Sequence, residues 1–222
     1  MTDCVPLIDA MRRDFSVELV TSADTLLEAQ RLRYQVYCAE RHHPVGHDGI
    51  ESDEFDGHAH HIVLRHRFSG ELVGNVRLVT ASKEHPKLPM HGYCSPSVFD
   101  GLSLATTGEV SRFALSRTRR SSYGKSDLLL RLGLMQGVLR ASRRLGLTHW
   151  CATMEPSLLR LLRTAAVHFK PVGPLVDLYG QRQPAVGDID SLLINGHRER
   201  PAIWDYVTDF GALAPEAQLL AA

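Results

Sequence analysis

The stretch Thr106-Thr107-Gly108-Glu109-Val110-Ser111-Arg112-Phe113-Ala114-Leu115-Ser116 decides how the rest of the chain is read. Val110, Phe113, Ala114 and Leu115 suit a largely buried strand, and Thr107 and Ser116 mark its ends. Glu109 and Arg112 stand inside it, where an unpaired charge is costly. A strand that accepts both needs them paired or beside a wet cleft. A structural ion pair is the plain alternative to a functional site.

Around this strand, 222 residues with 44% hydrophobic and 23% charged content describe one globular domain, 1–222, with a full core. No apolar run is long enough to cross a bilayer, and residues 1–20 lack a signal-peptide core. Four cysteines (Cys4, Cys38, Cys94, Cys151) lack disulfide or metal spacing, so a cytoplasmic location is expected. Net charge is zero but unevenly spread. Between Arg112 and Arg144 stand eight arginines and Lys125 against the single acid Asp127, whereas residues 48–56 hold five acids and neither Lys nor Arg. The basic stretch suits an acidic partner. No nucleic-acid motif accompanies it, so no nucleic acid is expected.

Residues 17–20 read as a first strand. Ser22 caps a helix to about residue 40, on which Arg33 and Tyr37 share a face. Residues 41–57 are loop-like. Residues 61–67 and 71–79 form a hairpin turned at Phe68-Ser69-Gly70. A Pro- and Gly-punctuated connection, anchored by Tyr93 and Phe99, leads to the central strand. A loop over 117–125 precedes a leucine-rich helix capped near Ser126 and closed by Gly146. Residues 148–154 are the next strand, and Pro156 opens a helix. Strands over 172–179 and 190–194 and a helix from Pro201 complete the pattern. Strands and helices in this order predict an α+β, α/β/α sandwich: a mixed sheet with helices on both faces.

Arg33 with Tyr37, then Glu51-Ser52-Asp53-Glu54-Phe55-Asp56, then Gly74-Asn75-Val76-Arg77-Leu78, then Glu109-Val110-Ser111-Arg112-Phe113, resembles the pattern of autoinducer synthases and of long-chain N-acyl amino acid synthases. Both belong to the wider GNAT-like acyltransferase fold, with a mixed, mostly antiparallel sheet. Gly173-Pro174-Leu175-Val176-Asp177-Leu178-Tyr179-Gly180, with Arg182 and Pro184, is similar to the tail of PEP-CTERM/exosortase-associated acyltransferases. Autoinducer synthases carry a tryptophan between the helix and the acidic loop. This chain has none between Tyr37 and Glu51, which favours the N-acyl amino acid branch over homoserine-lactone synthesis.

The resemblance implies transfer of a long acyl chain from an acyl carrier protein to an amino acid, with acyl-CoA as the alternative donor. No permanent cofactor is expected, since acyl-phosphopantetheine enters as a co-substrate. Glu109 is the candidate general base. Arg33, Tyr37, Asp53, Asp56, Arg77 and Arg112 are the candidate substrate site, in which the arginines either pair with the acids or grip the substrate carboxylate. Arg117, Arg119, Arg120, Tyr123 and Lys125 are the expected carrier-protein contacts. Tyr123 is also a candidate to protonate the leaving thiolate, with a packing tyrosine as the competing reading. No metal is expected, because His58, His60 and His61 lack the spacing of a zinc site. A lipophilic product would bring peripheral membrane contact. A non-catalytic amino acid or lipid sensor is the reading from another class.

Overall fold

Ser22 does what its position predicts: its hydroxyl accepts the Thr25 N–H at 3.2 Å and starts helix α2, Ala23–Tyr34. A computed structural model describes residues 4–121 and 127–214 of the chain. Ahead of α2, helix α1 (Cys4–Asp14) leads directly into strand β1 (Phe15–Leu19). The sequence pattern does not predict α1. Past Tyr34 the chain widens into a π-turn over Gln35–Ala39, so the predicted helix to residue 40 is real but changes its winding. The hairpin follows as β2 (His60–His66) and β3 (Leu72–Thr80), turned at Gly70 with φ +73°. After short 3₁₀ turns come β4 (Thr107–Leu115), α3 (Arg117–Ser121) and α4 (Asp127–Arg144). The chain ends through β5 (His149–Met154), α5 (Pro156–Thr164), β6 (Lys170–Pro171), β7 (Val176–Asp177), β8 (Gln181–Asp188), α6 (Ile189–Glu199) and α7 (Pro201–Thr208). The predicted cap near Ser126 lies outside the described residues.

Two expectations are corrected here. Residues 190–194 are helix, not strand: Asp188 accepts the Ser191 N–H at 2.7 Å as an N-cap, and Ile189, Leu192 and Leu193 are buried at helical spacing. The strand expected over 172–179 shrinks to Val176–Asp177, and the long strand of this region is β8, which carries Pro184. Pro184 lacks an N–H to give the ladder, and its carbonyl accepts the Val172 N–H at 2.9 Å.

The eight strands make a mixed, mostly antiparallel sheet with helices around it, and the chain divides into two compact units. The first is Met1–Leu78 with Arg112–Val138. In it β1 pairs antiparallel with β2, and β2 with β3. The apolar face of α2 (Ala29, Leu32, Val36) packs on Val63, Leu72 and Ala114. Burying Leu32 completely is worth about 1.5–3 kcal/mol. The second unit is Val79–Ser111 with Leu139–Ala222. In it β4 pairs parallel with β5, with Glu109 opposite Cys151, and β5 pairs antiparallel with β8. Trp150 anchors this core, stacked on Phe169 at 6.3 Å and donating to Ser142 Oγ at 2.8 Å.

Within the first unit α4 lies close against β1 and β2. A Cβ added at Gly137 would meet Ile62 Cγ2 at 2.4 Å and Val17 Cγ1 at 2.7 Å, both rigid branches of β-branched side chains. Gly137→Ala is therefore expected to lower stability by about 1–3 kcal/mol despite alanine's better helix propensity. The urea midpoint of the variant measures it, and a rise would refute the tight approach.

Candidate functional site

In the first unit, the charges singled out in the sequence close into a ring. Arg33, on α2, donates through Nε to Glu51 and through Nη1 and Nη2 to the two oxygens of Asp56, each at 2.8 Å. Arg77, on β3, donates to Asp56 Oδ1 at 2.7 Å and to Asp53 Oδ2 at 3.0 Å. Arg112, on β4, donates to Asp53 Oδ2 at 2.7 Å and, through Nε, to Glu51 Oε1 at 2.8 Å. The order Arg33–Glu51–Arg112–Asp53–Arg77–Asp56 returns to Arg33. Each guanidinium bridges two carboxylates, each carboxylate bridges two guanidinia, and the formal charge is zero.

Local structure presents these groups. Glu51 N–H reaches Gln30 O on α2 at 3.2 Å, which draws the acidic loop to the helix. Asp53 and Asp56 then close the loop on itself: Asp56 accepts the Asp53 N–H, and Asp53 accepts the Phe55 N–H at 3.0 Å. The Phe55 ring lies under Arg77, with Cζ 5.9 Å from its centroid. Register places His61 opposite Arg77, and a His61 ring nitrogen lies 3.2 Å from the Asp56 carbonyl. Burial, assisted by Arg33 and Arg77, holds the His61 pKa down, so it adds no cation to a neutral ring.

The ring is closed on one side and open on the other. Side chains of Arg33, Glu51, Arg77 and Asp56 are at most 6% exposed, whereas those of Asp53 and Arg112 are 25% and 28% exposed. Burial alone would raise the acids, but hydrogen bonds and charge from Arg77 on Asp53, and from Arg33 and Arg77 on Asp56, outweigh it. Both carboxyls sit below the ordinary range. Burial opposes the charge on Arg33 and Arg112 too, and the facing acids again reverse it. Arg112 also carries φ +50°, the left-handed region, in the middle of β4.

Of the predicted substrate-site residues, the structure thus brings together Arg33, Asp53, Asp56, Arg77 and Arg112. Glu51, which opens the acidic motif but is not among the candidate substrate-site residues, is the sixth member. Its spacing of two from Asp53 was the available signal. Arg112 and Asp56 sit across the ring rather than in contact. Tyr37 lies in the π-turn beside it: burial raises its pKa, and the charges of Arg112 and Glu51 act on it.

The expected donor-side contacts divide. Arg117 is exposed at the start of α3, where its backbone N–H donates to Glu40 Oε2 at 2.8 Å. Glu40 also accepts from Ser116 Oγ at 2.7 Å and Thr118 Oγ1 at 3.1 Å, and these bonds hold its pKa down against burial. Arg119 is turned inward, donating to Leu72 O at 2.7 Å and pairing with Glu71 at 3.4 Å. Tyr123, Lys125 and the Arg120 side chain lie outside the described residues.

Glu109 belongs to the second unit and is fully buried. Its Oε2 accepts the Met90 backbone N–H at 2.8 Å, and Tyr93 donates its hydroxyl to Oε1 at 3.3 Å. Cys94 and Cys151 stand close enough to feel its charge, and burial raises both thiols, so they are neutral and poor nucleophiles. No group of three or more His, Cys, Asp or Glu side chains placed to hold a metal ion occurs among the described residues.

A carboxylate held apart from solvent by two donors can take a proton from an attacking amine. A saturated charge ring can only organise what surrounds it. Residues 32–130 match the acetyltransferase (GNAT) domain family. No curated protein sequence matches the chain. Among solved structures it is similar to BjaI, a CoA-dependent acyl-homoserine lactone synthase, at 22% identity over 88% of each chain with a TM-score of 0.65. The AHL synthase LasI is similar at 20% identity over 78% of this chain and 88% of its own, TM-score 0.62. FeeM, an N-acyl amino acid synthase from uncultured soil microbes, is similar at 15% identity over 82% of this chain and 93% of its own, TM-score 0.61. At these identities the likeness establishes a shared fold.

The ring predicts strong coupling. Arg33→Met or Asp56→Leu alone should cost roughly 3–5 kcal/mol, because each strands a buried partner, and together they should cost clearly less than the sum. Additive urea-melt energies would refute the ring. Asp53 and Asp56 have folded pKa values below the unfolded value of 3.8. Their stabilisation is therefore complete above about pH 5 and is lost as pH falls through 3.8 towards the folded values. Asp56→Asn should flatten that acid slope in urea midpoints taken from pH 7 to 3.

Proposed function

We propose that this protein is an N-acyltransferase that joins a long acyl chain, delivered as a carrier-protein thioester, to the α-amine of an amino acid. The observation that carries this reading is Glu109, a buried carboxylate held by Met90 and Tyr93 in a chain of GNAT fold. In the reaction the amine nitrogen attacks the thioester carbonyl carbon and its proton passes to Glu109, directly or through a water. The tetrahedral oxyanion collapses, the C–S bond breaks, and the thiolate leaves to take up a proton. The charge ring orders the loop over residues 51–56, and its exposed edge, Asp53 with Arg112, is the part a zwitterionic amino acid can meet. Because all three arginines already bridge two acids, we read the ring as the scaffold of the amino acid site rather than a set of waiting carboxylate grips.

Both N-acyl amino acid synthesis and acyl-homoserine lactone synthesis are represented among the similar folds, and the missing tryptophan between Tyr37 and Glu51 favours the former. The similarity of residues 173–184 to PEP-CTERM/exosortase-associated acyltransferases agrees with a bacterial acyl-lipid context. Mass spectrometry after incubation with long-chain acyl carrier protein, the twenty amino acids and S-adenosylmethionine tests the assignment. An N-acyl amino acid is expected. An acyl-homoserine lactone would move the protein to the other branch, and no thiol release with any acceptor would favour a sensor.

Glu109→Gln should keep the fold and lose ~10²–10⁴ in rate, the usual worth of a general base. A variant within twofold of wild type in kcat removes Glu109 from the role. Arg117→Glu should weaken the carrier-protein donor more than the same acyl-CoA, with reduced salt dependence of kcat/KM. Equal loss with both donors would count against a carrier dock at this turn.

A further inference from the structure

The connection between β3 and β4, which the sequence marks only by its prolines, glycines and aromatic anchors, delivers two donors to Glu109 from one short turn. Residues Pro89–Gly92 form a 3₁₀ turn, and Tyr93 closes it with its N–H directed to Met90 O at 3.3 Å. The turn is held on several sides. Leu88 and Met90 are fully buried, and His91 accepts the Leu88 N–H through Nδ1 at 3.0 Å. The His91 ring stacks on Phe99 at 4.1 Å, with planes 12° apart. A turn fixed in this way sets where the Met90 amide and the Tyr93 hydroxyl point.

We infer that Tyr93 is a positioning residue for Glu109: its hydroxyl and the Met90 amide, on one rigid turn, fix the carboxylate and keep it ionised, ready to receive a proton. This rests on the reading of Glu109 as the base. A carboxylate buried in an apolar strand would otherwise resist ionisation, and hydrogen bonds donated to the charged form oppose that resistance. Burial and the facing Glu109 charge push the Tyr93 phenol far above its ordinary pKa, so it stays a donor throughout the working range. Two titratable groups that feel the Glu109 charge are Cys94, on the same connection, and Cys151, on β5 opposite Glu109, both neutral thiols. Thr153, on the same face of β5 as Cys151, stands near Tyr93 and Cys94.

The sign follows. Removing the phenol hydroxyl takes a donor from the anion, raises the Glu109 pKa and moves the acidic limb of kcat to higher pH. Lost packing alone lowers kcat or stability without moving that limb. The test reads Glu109 directly, by infrared difference titration of the carboxylate band against Glu109→Gln, with no substrate present. Tyr93→Phe should raise the midpoint by about one pH unit. Replacing Tyr93 with 3-fluorotyrosine, a stronger donor of nearly the same size, should lower it. The acidic limb of thiol release from long-chain acyl carrier protein with mixed amino acids should move with it. An unchanged midpoint in folded Tyr93→Phe overturns the inference. If that variant does not fold, an unchanged midpoint in the fluorotyrosine protein overturns it instead. A shifted midpoint without thiol release in the wild type upholds the positioning of Glu109 and rejects the acyl-transfer reading.

Discussion

The first unit depends on the closure of six charges into one neutral ring. Burying a single guanidinium costs several kcal/mol even after relaxation, and three are placed here beside three carboxylates with almost no water at Arg33 and Arg77. The arrangement is tolerable because no member has only one partner. That same property ties α2, the acidic loop, β3 and β4 to one another more specifically than apolar packing could. Leu32 and Val36 would accept a slid helix, whereas a bidentate Arg33–Asp56 pair would not.

The second unit solves a different problem with the same chemistry. Glu109 accepts from a backbone amide and a phenol, whereas the acids of the ring accept from guanidinia. Asp53 and Asp56 are held below the usual carboxylate range by the arginines, which makes them poor bases near neutrality. The chain thus separates carboxylates that organise from the carboxylate proposed to react. Along β4 the change from one to the other falls between Ser111 and Arg112, where the backbone turns left-handed. That conformation costs of order 1–3 kcal/mol in a non-glycine residue, and the two carboxylates that receive the Arg112 side chain offset it.

Much of this was legible beforehand, for identifiable reasons. Ser22, Pro156 and Pro201 act through the local backbone, and each starts its helix where the sequence places it. Opposite charges flanked by apolar residues on separate segments pointed to a buried network, and the network exists. Local rules failed where long-range packing decides. Helix α1 is not marked by the sequence pattern, and β8 carries a proline, a residue that local rules set against a strand. Asp188 was available as a cap for α6, but the apolar run behind it also fits a strand. Tyr93 looked like a packing aromatic, because nothing in a one-dimensional spacing shows that its hydroxyl would meet a strand sixteen residues later.

The ring also constrains the order in which the protein can be made. Its members are drawn from residues 33, 51, 53, 56, 77 and 112, so the last arrives well after the others during synthesis. Until Arg112 leaves the ribosome, two arginines face three carboxylates and the nascent cluster carries one uncompensated negative charge. Closure of the ring therefore requires β4, which brings the missing cation. The acids near the chain's beginning are matched in charge only by a residue from its middle.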